Sequence, residues 1–234
     1  MCTILLRIDA DGVIRLAANR DEFRTRPSAP PDLLVQGAFG GRDLLGGGTW
    51  LAVGRDRLAA VTNIRGLPLR DDMKTRGLLP LLALLGPMPD TYSEYNPFNL
   101  VVLSRDSREV ITHLGGNEAA SRVSLAPGDH VIVNEPFDRK PSPRRTKASA
   151  LLAEYGPSFD ALADHNDTPD VTPCKHGTSY GTVSSTSLTW LSGAGVSRYL
   201  FRDGLACEAP TQDLTAACRK AFTVVRWDAP RRHE

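Results

Sequence analysis

Residues 1–23 read MCTILLRIDADGVIRLAANRDEF, and the fold turns on how that stretch pairs with itself. Residues 3–8 and 13–19 are short β-rich runs, and DADG at 9–12 is a strong turn signal between them. An antiparallel hairpin puts the end of its second strand beside the start of its first. Asn19, Arg20, Asp21 and Glu22 are thereby brought near Cys2. Cys2 then has two readings. It is a small apolar residue at the start of an edge strand; or, with Met1 removed, it is an N-terminal residue carrying both a thiol and a free α-amine. The α-amine titrates near about 8 and the thiol near about 8.5, so a neutral amine can take the thiol proton without a histidine partner. On the chemical reading Asp21 orients the amine, and Arg20, a nearby cation, lowers the thiol pKa. On the plain reading Asn-Arg-Asp-Glu is a solvated loop.

Working outward, residues 24–33 (RTRPSAPPDL) read as a proline-rich loop that cannot be a central strand. A second hairpin follows, with strands at 49–53 and 58–62 and a polar turn at 54–57; Gly46, Gly47 and Gly48 before it suggest close backbone approach. KTRGLLPLLALLG at 74–86 is the best helix of this half, buried on most sides, with Pro80 in its first turn. FNLVVLS, EVITHL, SRVSL and HVIVN then read as a four-stranded antiparallel meander. SPRRTKASALLAEY is an amphipathic helix with Ser142 as N-cap and Pro143 as first helical residue. A polar loop at 164–178 leads to a long hairpin turning at 192–195, and AFTVVRW at 221–227 reads as a final strand. Hairpins with two helical segments between sheet blocks, and no linker or repeat, predict one α+β domain over 1–234 with helices on the outer faces of antiparallel sheets.

Composition narrows the function. Lys and Arg total 28 against 27 Asp and Glu, a net charge of +1 that leaves no footprint for nucleic acid or anionic membrane. No stretch approaches the roughly 18 apolar residues that span a bilayer, and no secretory signal opens the chain. Cys2, Cys174, Cys207 and Cys218 are therefore expected to be free thiols in a reducing, cytoplasmic setting. PCKHG places Cys174 and His176 two apart, but no second pair answers them in sequence, so no metal site is expected. Phosphate loops, dinucleotide fingerprints and nucleophile elbows do not occur. Asn63 and Asn134 end apolar strands, where Asn is a turn former or an oxyanion donor.

Met1-Cys2, LAANRDEF with RPS close behind, GGTWL, LAAVTN, Arg76-Gly77, YNPFNL and YGT at 180–182 occur in that order. Together they resemble the NRDE family, the transport and Golgi organisation type two family, from Met1 through the last hairpin and strand. The fit is poorer after Gly204. The resemblance implies an N-terminal-nucleophile (Ntn) hydrolase-like fold, a four-layer α-β-β-α sandwich. By comparison with the cholylglycine hydrolase and penicillin V acylase group it implies Cys2 as nucleophile and base, Asp21 holding the amine, and Asn63 or Asn134 serving the oxyanion. Asn19 and Arg20 fall in the same motif; those acylases read Arg-Asn-x-Asp where this chain reads Asn19-Arg20-Asp21, so Arg20 is expected to point elsewhere. Glu22, Trp50, Arg76 and Asn99 are the ligand-binding candidates of the matched motifs. The implied activity is cleavage of a non-peptide amide or thioester, with no cofactor required. The alternative is a carrier for haem or acyl-CoA in an apolar cavity, with His113, His130, His165, His176, Cys2 or Cys174 as haem ligands and Trp50 and Phe98 as lining.

Overall fold

Side-chain alternation along the first hairpin decides the layering. The computed structural model describes residues 2–35 and 37–223. In it β1 (Cys2–Ile8) pairs antiparallel with β2 (Ile14–Phe23), with Cys2 opposite Arg20 and Ile8 opposite Ile14. Successive side chains point to opposite faces of a strand. Ile4, Leu6 and Ile8 thus enter one core while Leu5 enters another. Both faces of this hairpin are apolar, so both must be covered.

Seven strands follow in chain order as a second sheet. They are β3 (Ser28–Val35), β4 (Ala38–Asp43), β5 (Leu51–Val53), β6 (Arg57–Asn63), β7 (Phe98–Ser104), β8 (Arg108–His113) and β9 (Ser121–Ser124). The chain then crosses back. β10 (Gly128–Ile132) adds to the free side of β1, and β11 (Tyr180–Leu191), β12 (Gly195–Asp203) and β13 (Thr211–Asp213) add to the other side of β2. The two sheets bury Leu6, Leu16 and Trp190 of the first against Phe39, Leu58 and Val101 of the second.

Each outer face takes a helix layer. α1 (Leu79–Leu85) puts Leu79 and Ala83 on Ala59, Leu100 and Ile111 of the second sheet. α2 (Pro143–Tyr155) and α3 (Phe159–Leu162) put Ala148, Leu152 and Leu162 on Leu5, Ala17 and Val131 of the first. The result is the α-β-β-α sandwich that the resemblance implied, with the outer helices that the hairpin pattern predicted. α2 begins as its sequence dictates: Ser142 Oγ accepts from the Arg145 N–H, Pro143 opens the first turn, and Gly156 ends it at φ 66°. α4 (Thr215–Ala221) closes one end of the inter-sheet core with Cys218 and Ala221.

Several expectations are corrected. β1 lies between β10 and β2, so Cys2 does not open an edge strand. The proline-rich stretch is a strand, β3, at the sheet edge; its register slips between Ala29 and Asp32, where Pro30 and Pro31 have no N–H to give. The expected four-stranded meander splits, because its fourth strand, β10, pairs with β1 in the other sheet. Helix α1 leaves Leu85 exposed rather than being buried on most sides. Ala221 ends α4, and the rest of the expected final strand, residues 224–227, lies outside the described residues. Among the described residues the cysteines are free, and no helix is long and apolar enough to cross a membrane.

Candidate active site

Three strands converge at Cys2. The β1–β2 register sets Arg20 opposite it, and the β1–β10 register (Ile4 with Ile132), carried two residues on, sets Asn134 there. The Cys2 main-chain N–H donates to Asn134 Oδ1 at 2.7 Å. The Asn134 amide in turn donates to the Asn63 carbonyl at 2.6 Å, and the Asn134 carbonyl accepts from the Arg65 N–H at 3.1 Å. One side chain therefore joins the two sheets where Cys2 begins.

Cys2 and Arg20 share a wall of a cavity of about 410 Å³ that also takes in Asp21, Glu22, Trp50, Asn63 and Arg76. Arg20 is buried, stacks its guanidinium 4.5 Å from the Trp50 ring centroid, and donates to Ser28 Oγ at 3.3 Å. Arg76 donates to the Pro97 carbonyl at 3.0 Å. Neither arginine forms an ion pair among the described residues. Burial pushes both guanidinium groups down from their ordinary value, and the Glu22 carboxylate opposes that shift. By contrast Arg26 is spent on Asp43 at 2.7 Å, and Lys74 on Glu94 at 2.7 Å. Burial alone would raise the Asp43 carboxyl; the Arg26 hydrogen bonds and the Gly46 and Leu45 N–H groups overcome it and hold Asp43 below its ordinary value. Gly48 lets the cavity wall close: at φ +78°, a Cβ there would lie 2.2 Å from the Gly77 carbonyl oxygen.

Asp21 comes in from the opposite face of β2, the helix side. Its carboxylate accepts from Thr182 Oγ1 at 2.7 Å and from Arg144 at 3.3 Å, and Arg144 also donates to Thr3 Oγ1 at 2.6 Å. The Asp21 and Arg144 side chains are 0% and 7% exposed, which makes this a buried ion pair between α2 and the sheet. Tyr180 donates to the Asp21 carbonyl at 2.7 Å.

The cavity gathers most of the candidates and leaves out Asn134, which ties the Cys2 N–H to Asn63, together with Asn19 and Asn99. Asn19 faces the helix layer, where Leu162 O, Pro173 O and Ser185 Oγ saturate it. Asn99 is fully buried between the sheets, bonded to Thr62, Thr112 and the carbonyls of Val133 and Glu135. Both act as internal ties. Arg20 was expected to point away, but it points into the cavity, because it shares the inter-sheet face with Cys2. None of the four candidate histidines lines the cavity: His113 is buried against Tyr92 and Phe98, and His130 lies on the Ala126 carbonyl. Phe98 is core of the second sheet rather than lining. The lining is charged where an apolar one was expected. Arg144 escaped sequence reading, although a signal was present: it falls in phase with Ala148, Leu151 and Leu152, the apolar stripe of α2.

Residues 1–172 match the family model described as Transport and Golgi organisation 2. The Transport and Golgi organization protein 2 homolog of Bos taurus is 33% identical, and that of Homo sapiens 32%, each match covering 57% of this chain and 57% of the relative. The match thus spans little more than half the length of these curated relatives. Among solved structures, the C2A mutant of the conjugated bile acid hydrolase of Clostridium perfringens superposes with a TM-score of 0.50 at 9% identity, covering 91% of this chain and 96% of that one. That likeness is one of fold.

Proposed function

The chain belongs to the Transport and Golgi organisation 2 family, and from that premise we propose that it is an N-terminal-cysteine hydrolase, cleaving a non-peptide amide or thioester of an anionic, amphipathic small molecule. The observation that carries this reading is that Cys2 shares its cavity with two buried or half-buried arginines, Arg20 and Arg76, neither of which forms an ion pair among the described residues. With Met1 removed, the nitrogen now held by Asn134 is an α-amine. It takes the thiol proton, and the sulfur attacks the acyl carbon, forming a C–S bond while the carbonyl electron pair moves to oxygen. Arg20, Arg76 and the Asn63 side chain receive that charge. Collapse breaks the C–N or thioester C–S bond, and the leaving group takes the proton from the α-ammonium. Water then cleaves the acyl-enzyme and restores the thiol. Asp21 is a positioning residue, fixed by Thr182 and Arg144. Leu45 and Met73 at the rim suit an acyl chain.

The test compares wild type with Cys2→Ala on a panel of N-acyl amino acids and acyl-CoA thioesters, reading the released acid by mass spectrometry. Turnover by wild type that falls to background in Cys2→Ala supports the hydrolase. Turnover retained in Cys2→Ala overturns it. A second reading, a carrier for acyl-CoA or haem without turnover, draws on the same two arginines, which suit phosphate or propionate groups. Equal binding of such a ligand by both proteins, with no product from either, assigns the carrier.

A further inference from the structure

Outside the cavity, the polar loop at 163–178 and the turn after β12 bring four donor side chains to one point. Cys174 Sγ lies 3.6 Å from Cys207 Sγ and 3.8 Å from His176 Nε2, and Cys207 Sγ lies 3.2 Å from the same nitrogen. The donor atoms of His165, His176 and Cys207 all lie within 4.8 Å of one another, and the two rings are 4.6 Å apart. Zinc bonds of about 2.3 Å to sulfur and about 2.0 Å to nitrogen give tetrahedral edges of roughly 3.8, 3.5 and 3.3 Å for S–S, S–N and N–N. The three sulfur edges fall on this scale, and His165, close to His176 and Cys207, is the fourth donor.

We propose that Cys174, Cys207, His176 and His165 form a tetrahedral zinc site that pins the 163–178 loop to the turn after β12. The surroundings are those of a ligand set. His165 Nδ1 sits 2.9 Å from the Ala163 carbonyl, which assigns its proton to Nδ1 and frees Nε2 to bind metal. His176 turns Nδ1 toward Glu208 at 3.9 Å and Nε2 toward the sulfurs. Four protein ligands fill the coordination sphere, so the site is structural rather than catalytic. Two thiolates and two imidazoles select a metal of zinc's softness over magnesium or calcium. Binding displaces the two thiol protons and oxidises nothing. Sequence spacing hid the site, because the partner of the Cys174–His176 pair comes from Cys207, brought back by the β11–β12 hairpin. The loop also reaches the candidate active site: the Lys175 N–H donates to Thr182 Oγ1 at 2.9 Å, and Thr182 holds Asp21.

The test uses the full chain, reduced and stripped of metal, titrated with Co(II) and then Zn(II). The expected result is one Co(II) per chain, with the intense visible bands of a tetrahedral centre and thiolate charge transfer, displaced by one Zn(II). Cys207→Ser, which leaves one thiolate, should weaken the charge-transfer band and weaken binding about a hundredfold or more; His165→Ala, a surface change that spares folding, should weaken binding about tenfold or more. Cys2→Ala should leave the spectrum unchanged, which keeps this test independent of the hydrolase reading. Metal loading should also protect the 163–178 loop from protease. A pale octahedral Co(II) spectrum, binding unchanged in His165→Ala, or no Co(II) uptake by the reduced chain would overturn the site.

Discussion

Asn134 is the residue on which the local geometry depends, because its amide serves two main-chain groups of different sheets. Asn134→Ala strands the Cys2 N–H and the Asn63 carbonyl together. Each lost bond costs about 1–3 kcal/mol where water cannot replace it. Chemical denaturation should report a lower midpoint, and Cys2 alkylation should change rate as the nitrogen loses its anchor. Asp43 gives the pH counterpart. Its carboxyl is held below its ordinary value in the fold, so the stability it lends is present above the unfolded pKa and lost as pH falls through the folded one. Asp43→Asn should therefore be less stable than wild type at neutral pH, and the gap should close as pH falls below the ordinary carboxylate range, read from melting temperatures across the acid range. At this scale the sequence told which residues meet but not all that they do. The hairpin alone placed Arg20 beside Cys2. That Asn19 and Asn99 are internal ties depends on carbonyls of Leu162, Pro173, Val133 and Glu135, contributed by distant segments that no local pattern reveals.

Among the elements, α2 does more than cover the first sheet. Its first turn delivers Arg144 to Asp21 through the apolar layer. Removing one partner of a buried pair takes away charge compensation that the other needs in a desolvated place, and so costs stability. Arg144→Met should lower the urea midpoint accordingly, while a change at exposed Lys140 should leave it alone. Gly48→Ala tests the loop before β5. The added methyl meets the Gly77 backbone at 2.2 Å in a φ +78° conformation, so stability should drop by about 1 kcal/mol or more and Arg76 should shift. A crystal structure of the variant shows whether the cavity wall has moved. The helix starts and hairpins were legible because caps, prolines and turn residues act locally. The split of the expected meander was not: β9 and β10 are joined by residues 125–127 alone, and what draws β10 to β1 is the unpaired edge of a strand more than a hundred residues earlier.

For the whole molecule, four layers follow from two sheets that are apolar on both faces: one face of each makes the shared core, and the other requires helices. The site lies at one end of that shared core, where β1, β2 and β10 stop and Asn134 crosses to the second sheet. On the proposed function, the sulfur at this point works as a nucleophile with its own amine as base. Intact-mass spectrometry of the protein isolated from cells, before and after exposure to an activated acyl thioester, tests that most directly. The account predicts a chain that begins at Cys2 and gains a single acyl group mapping to that residue, absent in Cys2→Ala. A chain that keeps Met1 and takes no acyl group at Cys2 would contradict it.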